Sequence, residues 1–187
     1  MPSPSKVLII ESRTSEDKKA ARSEQPHLEN TFKLLGISTK KIEVSTPKGF
    51  YSAIKKAETE HIHYVHFSGH GCSDGIQLGD SLFITWKEID DNCWPSLRGT
   101  CFSFSSCDVA KGVEALFGKH KTFCAAIVAA TRKVYWAESA VAFSAFFLKA
   151  TNPGTSTERD VNVMNHICGA GTFKLFRASV GNETKIL

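Results

Sequence analysis

Apolar residues come in short bursts whose spacing changes along the chain. Lys6-Val7-Leu8-Ile9-Ile10 is a brief run without polar alternation, the pattern of a strand covered on both faces. A charged and polar stretch from Glu11 to Gln25 follows and reads as a loop. Leu28, Phe32 and Leu35 recur at helical spacing and Gly36 supplies a stop, which predicts a helix over 25–35. Ile42-Glu43-Val44 predicts a second strand, ended by Thr46-Pro47, and Tyr51, Ile54 and Ala57 outline a second helix. A third strand lies within His61-Ile62-His63-Tyr64-Val65-His66-Phe67. Strand, helix, strand, helix, strand is the order of a parallel sheet with right-handed crossovers.

After Gly71 the period changes. Gly75-Ile76-Gln77-Leu78 and Ser81-Leu82-Phe83-Ile84 flank Gly79-Asp80, which predicts a small β-hairpin. Thr85 with Glu88 three residues on is a capping-box signature for a short helix through Asp91. Thr100 to Ser106 reads as a buried strand, Val113–Phe117 as a short helix, and Phe123 to Ala130 as another strand. Ala137 to Lys149 is strongly helical, 151–157 is a loop, Asp160 opens a helix through His166, and Phe173-Lys174-Leu175-Phe176 is a final strand. The whole predicts an α/β fold, a mostly parallel central sheet flanked by helices. With 187 residues and 42% hydrophobic content, the chain fits one domain over 1–187.

Charge narrows the partners little. Net charge is +4, from 23 basic and 19 acidic residues, with no basic cluster beyond Lys40-Lys41 and Lys55-Lys56, so no nucleic-acid face is expected. No run approaches the roughly 18 apolar residues of a membrane span. The four apolar residues before Glu11 are too few for a signal peptide, and a cytoplasmic location is expected. Six cysteines, at 72, 93, 101, 107, 124 and 168, show no framework spacing and read as free thiols.

Candidate chemistry sits at two strand ends. The third strand runs into Ser68-Gly69-His70-Gly71 and the cysteine strand into Cys107-Asp108. In an open parallel sheet, functional groups collect beyond the carboxyl ends of the strands. Neighbouring strands ending in histidine and cysteine place a base and a nucleophile across one cleft. A free thiol has a pKa of about 8.5, and a histidine near neutrality can assist its attack and protonate a leaving amine. His61, His63, His66, His70 and Cys72 also raise a zinc site, but His66 and His70 span a strand-to-loop transition and no second ligand cluster exists. No metal and no organic cofactor are expected. Cys72, Cys101 and Cys124 read as packing thiols.

These residues carry a resemblance. Tyr64-Val65-His66-Phe67-Ser68-Gly69-His70-Gly71 resembles the histidine motif of the caspase-fold (clan CD) cysteine peptidases. The hairpin, Ile84-Thr85-Trp86-Lys87-Glu88-Ile89, and Ser105-Ser106-Cys107 resemble the CHAT branch, as do Ile127-Val128-Ala129-Ala130 and Tyr135-Trp136-Ala137-Glu138. The resemblance covers residues 40–150. It departs after Cys107, where CHAT domains usually carry an acidic residue, threonine and glycine and this chain has Asp108-Val109-Ala110.

It implies a caspase-like three-layer sandwich and a cysteine endopeptidase, with Cys107 as nucleophile and His70 as acid/base. It places the oxyanion hole at the N–H groups of Gly71 and Cys107, has Gly69 bend the chain to expose His70, and sets Asp108 and Glu138 around the substrate pocket. With those acids the expected side chain before the scissile bond is basic, an apolar one standing close behind given Trp86, Trp136 and the nearby phenylalanines. The partners it implies are a protein substrate and a separate sensor or regulator in trans, within a bacterial defence or regulated cell-death pathway. Two other classes stay open: a catalytically silent caspase-fold interaction or signalling module, and another cysteine hydrolase or acyltransferase.

Overall fold

A computed structural model describes residues 6–93, 97–117, 124–150, 157–178 and 185–186. The elements run β1 (Lys6–Glu11), α1 (Ser15–Lys19), α2 (Gln25–Leu34), β2 (Ser38–Glu43), α3 (Pro47–Thr59) and β3 (Tyr64–Ser68). Then come β4 (Gly71–Cys72), β5 (Gly75–Leu78), β6 (Leu82–Thr85), α4 (Trp86–Cys93) and β7 (Leu97–Ser105). Two 3-10 turns, Val109–Lys111 and Val113–Phe117, precede β8 (Cys124–Ala130), α5 (Trp136–Ala150), α6 (Thr157–Cys168), β9 (Phe173–Arg177) and β10 (Lys185–Ile186).

Seven strands form one sheet in the order β10-β9-β8-β7-β3-β1-β2. β1, β2, β3, β7 and β8 are parallel, whereas β9 and β10 run antiparallel to their neighbours. The expected mostly parallel sheet is therefore present, closed at one side by an antiparallel edge. A second, three-stranded sheet β4-β5-β6 holds the predicted hairpin, with β4 paired onto it.

Alternation along the strands divides the core in two. Leu8, Ile10, Val65, Phe67, Phe102 and Phe104 face the layer containing Phe50 and Ile54 of α3 and Trp86 and Ile89 of α4. Val7, Ile9, Cys101 and Val128 face Phe32 of α2 and Phe143, Phe146 and Phe147 of α5. Helices cover both faces, which is why the parallel strands read as unbroken apolar runs. That is a three-layer sandwich.

Most predicted elements stand within a few residues. The Thr85 and Glu88 box forms as read, Thr85 N–H to Glu88 Oε2 at 2.8 Å and Glu88 N–H to Thr85 Oγ1 at 3.2 Å. The second strand lies earlier, at Ser38–Glu43, because it pairs residue for residue with Lys6–Glu11. The presumed loop 11–25 contains α1. Phe123 and positions 151–156 lie outside the described residues.

Candidate active site

Strand register builds the site. β3 and β7 are adjacent and parallel, and Ser68 pairs with Ser105 at their carboxyl ends. The chains leaving those two positions, Gly69-His70 and Ser106-Cys107, therefore emerge side by side. Ser106 Oγ ties them by donating to Gly69 O at 2.8 Å. Gly71 locks the arrangement, since a Cβ there would fall 2.8 Å from Val109 Cγ1 and 2.9 Å from Ser106 Cβ. Only glycine permits that approach of the histidine loop to the cysteine loop. Gly69 is needed for a similar reason, its added Cβ lying 2.7 Å from Ser12 O. The chain bends at Gly69 as expected, and close approach is what demands glycine there, since this residue is not among those with left-handed φ.

His70 and Cys107 open onto one cavity of about 300 Å³, lined also by Arg22, Lys133, Trp136 and Ser139. Cys107 is half-buried, and its thiol reaches Val134 O at 3.6 Å. The next residue, Asp108, takes a left-handed φ of 57°. Its N–H donates to Arg132 O at 3.2 Å, fastening the cysteine loop to the segment between β8 and α5. The His70 ring stands edge-on to Trp136, with centroids 6.1 Å apart.

Asp17 is the residue that sequence reasoning missed. It lies on α1, in the connection leaving β1, where the sheet order reverses between β1 and β3. Its carboxylate is buried and its Oδ2 sits 2.8 Å from His70 Nε2. Burial alone would raise the Asp17 carboxyl, but the hydroxyl and N–H of Thr14, and then His70, outweigh it and hold the pKa below its ordinary value. An ionised carboxylate only accepts, so Nε2 carries the hydrogen and neutral His70 keeps its lone pair on Nδ1.

Thr14-Ser15-Glu16-Asp17 has the spacing of a capping box, and both reciprocal bonds form. That spacing was the available signal. It is easily passed over because no apolar periodicity follows it.

Of the two acids expected around the pocket, neither lines the cavity. Asp108 pairs with Lys111 at 2.7 Å. The Glu138 carboxylate is held by both terminal nitrogens of Arg132, and its Oε2 also accepts from Tyr135 N–H at 3.3 Å. That guanidinium lowers the Glu138 pKa. The expectation of a carboxylate free for a basic side chain is corrected here: Arg132 already fills that role.

The other histidines part company. His61 and His63 are exposed, and His63 Nδ1 accepts from Lys6 N–H at 3.0 Å. His66 is fully buried, with Nδ1 2.8 Å from Ser103 Oγ and Nε2 3.3 Å from Glu24 Oε2. His66 and His70 thus face different partners and do not converge on a common point. Trp86 is core, its indole N–H donating to Ser73 O at 2.7 Å, while Trp136 forms cavity wall. Among the described residues, no helix is long and apolar enough to cross a membrane.

Three solved structures share this arrangement of strands and helices. Gingipain R, an Arg-specific cysteine proteinase, superimposes with a TM-score of 0.58 at 15% identity over 90% of this chain. A complex of the pro- and mature domains of Porphyromonas gingivalis RgpB gives 0.60 at 12% identity over 90%. Iotapain, a secreted C11 cysteine protease from Bacteroides thetaiotaomicron, gives 0.63 at 9% identity over 95%.

The fold is caspase-like.

This chain spans 45% and 46% of the two gingipain R chains and 67% of the iotapain chain. No protein-family model and no curated protein sequence matches it. At such identities the likeness concerns the caspase-like fold alone, and the chemistry rests on the residues of the cavity.

Proposed function

We propose that this chain is a cysteine endopeptidase in which Cys107 attacks, His70 transfers protons and Asp17 positions His70. The observation that carries it is the β3–β7 register, which delivers His70 and Cys107 to one cavity. The cysteine proteases that share the fold support it. Nδ1 of His70 takes the thiol proton as sulfur bonds to the substrate carbonyl carbon. The same nitrogen returns that proton to the leaving amine as the C–N bond breaks. Water, deprotonated by His70, then cleaves the thioester and regenerates the thiol. The N–H groups of Gly71 and Cys107 serve as oxyanion donors, each worth roughly 3–4 kcal/mol by analogy with other hydrolases.

The CHAT-branch reading rests on Ser105-Ser106-Cys107 and on the hairpin between the two motifs. With it go a protein substrate, a separate sensor in trans, a defence or cell-death role and a cytoplasmic setting. Cys107→Ala removes one sulfur from a half-buried position, so proteolysis should vanish while the melting temperature stays within about 2 °C. Digestion of a denatured proteome, read by mass spectrometry, tests this. Cleavage persisting in the purified variant would refute the nucleophile.

A further inference from the structure

We propose that the cavity beside Cys107 selects an acidic side chain on the residue preceding the scissile bond. This deepens the peptidase reading above and rests on it.

The cavity lining contains two cations, Arg22 and Lys133, and no carboxylate. Arg22 is shared, 3.5 Å from both Glu16 and Asp17. Lys133 has no ion-pair partner among the described residues, and its ammonium lies 5.5 Å from the Tyr135 ring centroid. It is exposed at the rim and, unlike Arg22, is the lining cation not engaged by a carboxylate among the described residues. Deeper in, Ser105 and Ser139 are buried and hydrogen-bonded to each other through their hydroxyls. Of two hydroxyls bonded together, one still has a proton to give, and a carboxylate is an acceptor for it.

A basic side chain meets the opposite conditions. It would face Lys133 and Arg22, with Asp108 paired to Lys111 and Glu138 gripped by Arg132. Displacing a two-pronged guanidinium–carboxylate pair to bind another cation gains nothing. An apolar side chain would fit the Val134, Tyr135 and Trp136 walls but leave the serine hydroxyls unanswered.

The test uses peptidyl acyloxymethyl ketones that differ only in the residue next to the warhead: Asp, Asn, Lys or Leu. Modification of Cys107 in the whole folded chain is followed by peptide mapping. The Asp reagent should modify Cys107 faster than Asn or Leu, and roughly tenfold or more faster than Lys. Lys133→Glu should reverse the order of Asp and Lys. Modification of Cys107 with Lys or Leu equal to or ahead of Asp overturns the selectivity and leaves the peptidase reading standing. So does an Asp-to-Lys ratio unchanged by Lys133→Glu. Failure of all four reagents to modify Cys107 in folded protein instead sinks the peptidase reading, and the selectivity with it.

Discussion

One carboxylate decides how His70 can act. Asp17 Oδ2 accepts from Thr14 N–H at 3.0 Å, from Thr14 Oγ1 at 2.7 Å and from His70 Nε2 at 2.8 Å. In Asp17→Asn the amide oxygen must take that site, because Thr14 N–H can only donate, so the three bonds and the His70 tautomer persist. What is lost is the negative charge that stabilises the protonated imidazole. A charged acceptor is replaced by a neutral one, so kcat should fall by about tenfold, with KM changed far less. Equal loss in kcat and in 1/KM would argue against a positioning role. The same group bears on stability. Its folded pKa lies below the ordinary 3.8, so its contribution is complete above that value and disappears as pH falls through the lower folded value. Urea titrations at successive pH values below about 4 should show wild type losing stability more steeply than Asp17→Asn. Parallel curves would refute the linkage.

Strand pairing explains both what could be read beforehand and what could not. A slip of one residue between β3 and β7 would turn every side chain over, and the apolar alternation forbids it because Phe67 and Phe104 must share a face. His70 and Cys107 were legible for that reason: each follows a patterned strand. Asp17, Arg22 and Glu24 were not, because they lie on α1 or in the polar connection between it and α2, which carries no apolar periodicity, and reach their partners only through the tertiary fold. Position 66 shows the same limit, since histidine there reads as a motif member yet points the other way. Its ring is sealed against Phe143 at 4.5 Å and bound to Glu24 and Ser103. Replacing His66 with leucine leaves the Glu24 carboxylate buried without that partner, which should cost roughly 3–5 kcal/mol in urea unfolding. Replacing both, His66→Leu with Glu24→Leu, should recover most of the loss. A double variant as weak as the sum of its parts would show that the two side chains are not coupled.

Across the whole molecule, the two-sided core that covers the parallel sheet also sorts the thiols. Cys93, Cys101 and Cys124 are buried, with Cys101 and Cys124 on the adjacent strands β7 and β8. Burial pushes Cys93 and Cys101 up to about 12, with nearby Asp90 and Asp160 adding to it, and raises Cys124 well above its ordinary value. Cys72, Cys107 and Cys168 are half-buried instead. The thiolate is the species that alkylates, so at pH 8 a fully buried thiol fails twice, through access and through ionisation. Iodoacetamide should therefore modify native protein only within the second group, and all six thiols in urea. Because β7 and β8 lie inside the sheet, Cys101 and Cys124 become accessible only when the sheet itself opens. Their labelling should be slow, share one rate, and accelerate together with denaturant along the global unfolding curve. Cys101 modified at the rate of an exposed thiol in native protein, or out of step with Cys124, would mean that β7 detaches from β8 without global unfolding. Cys107 follows β7 directly, so such an opening would also dismantle the cleft.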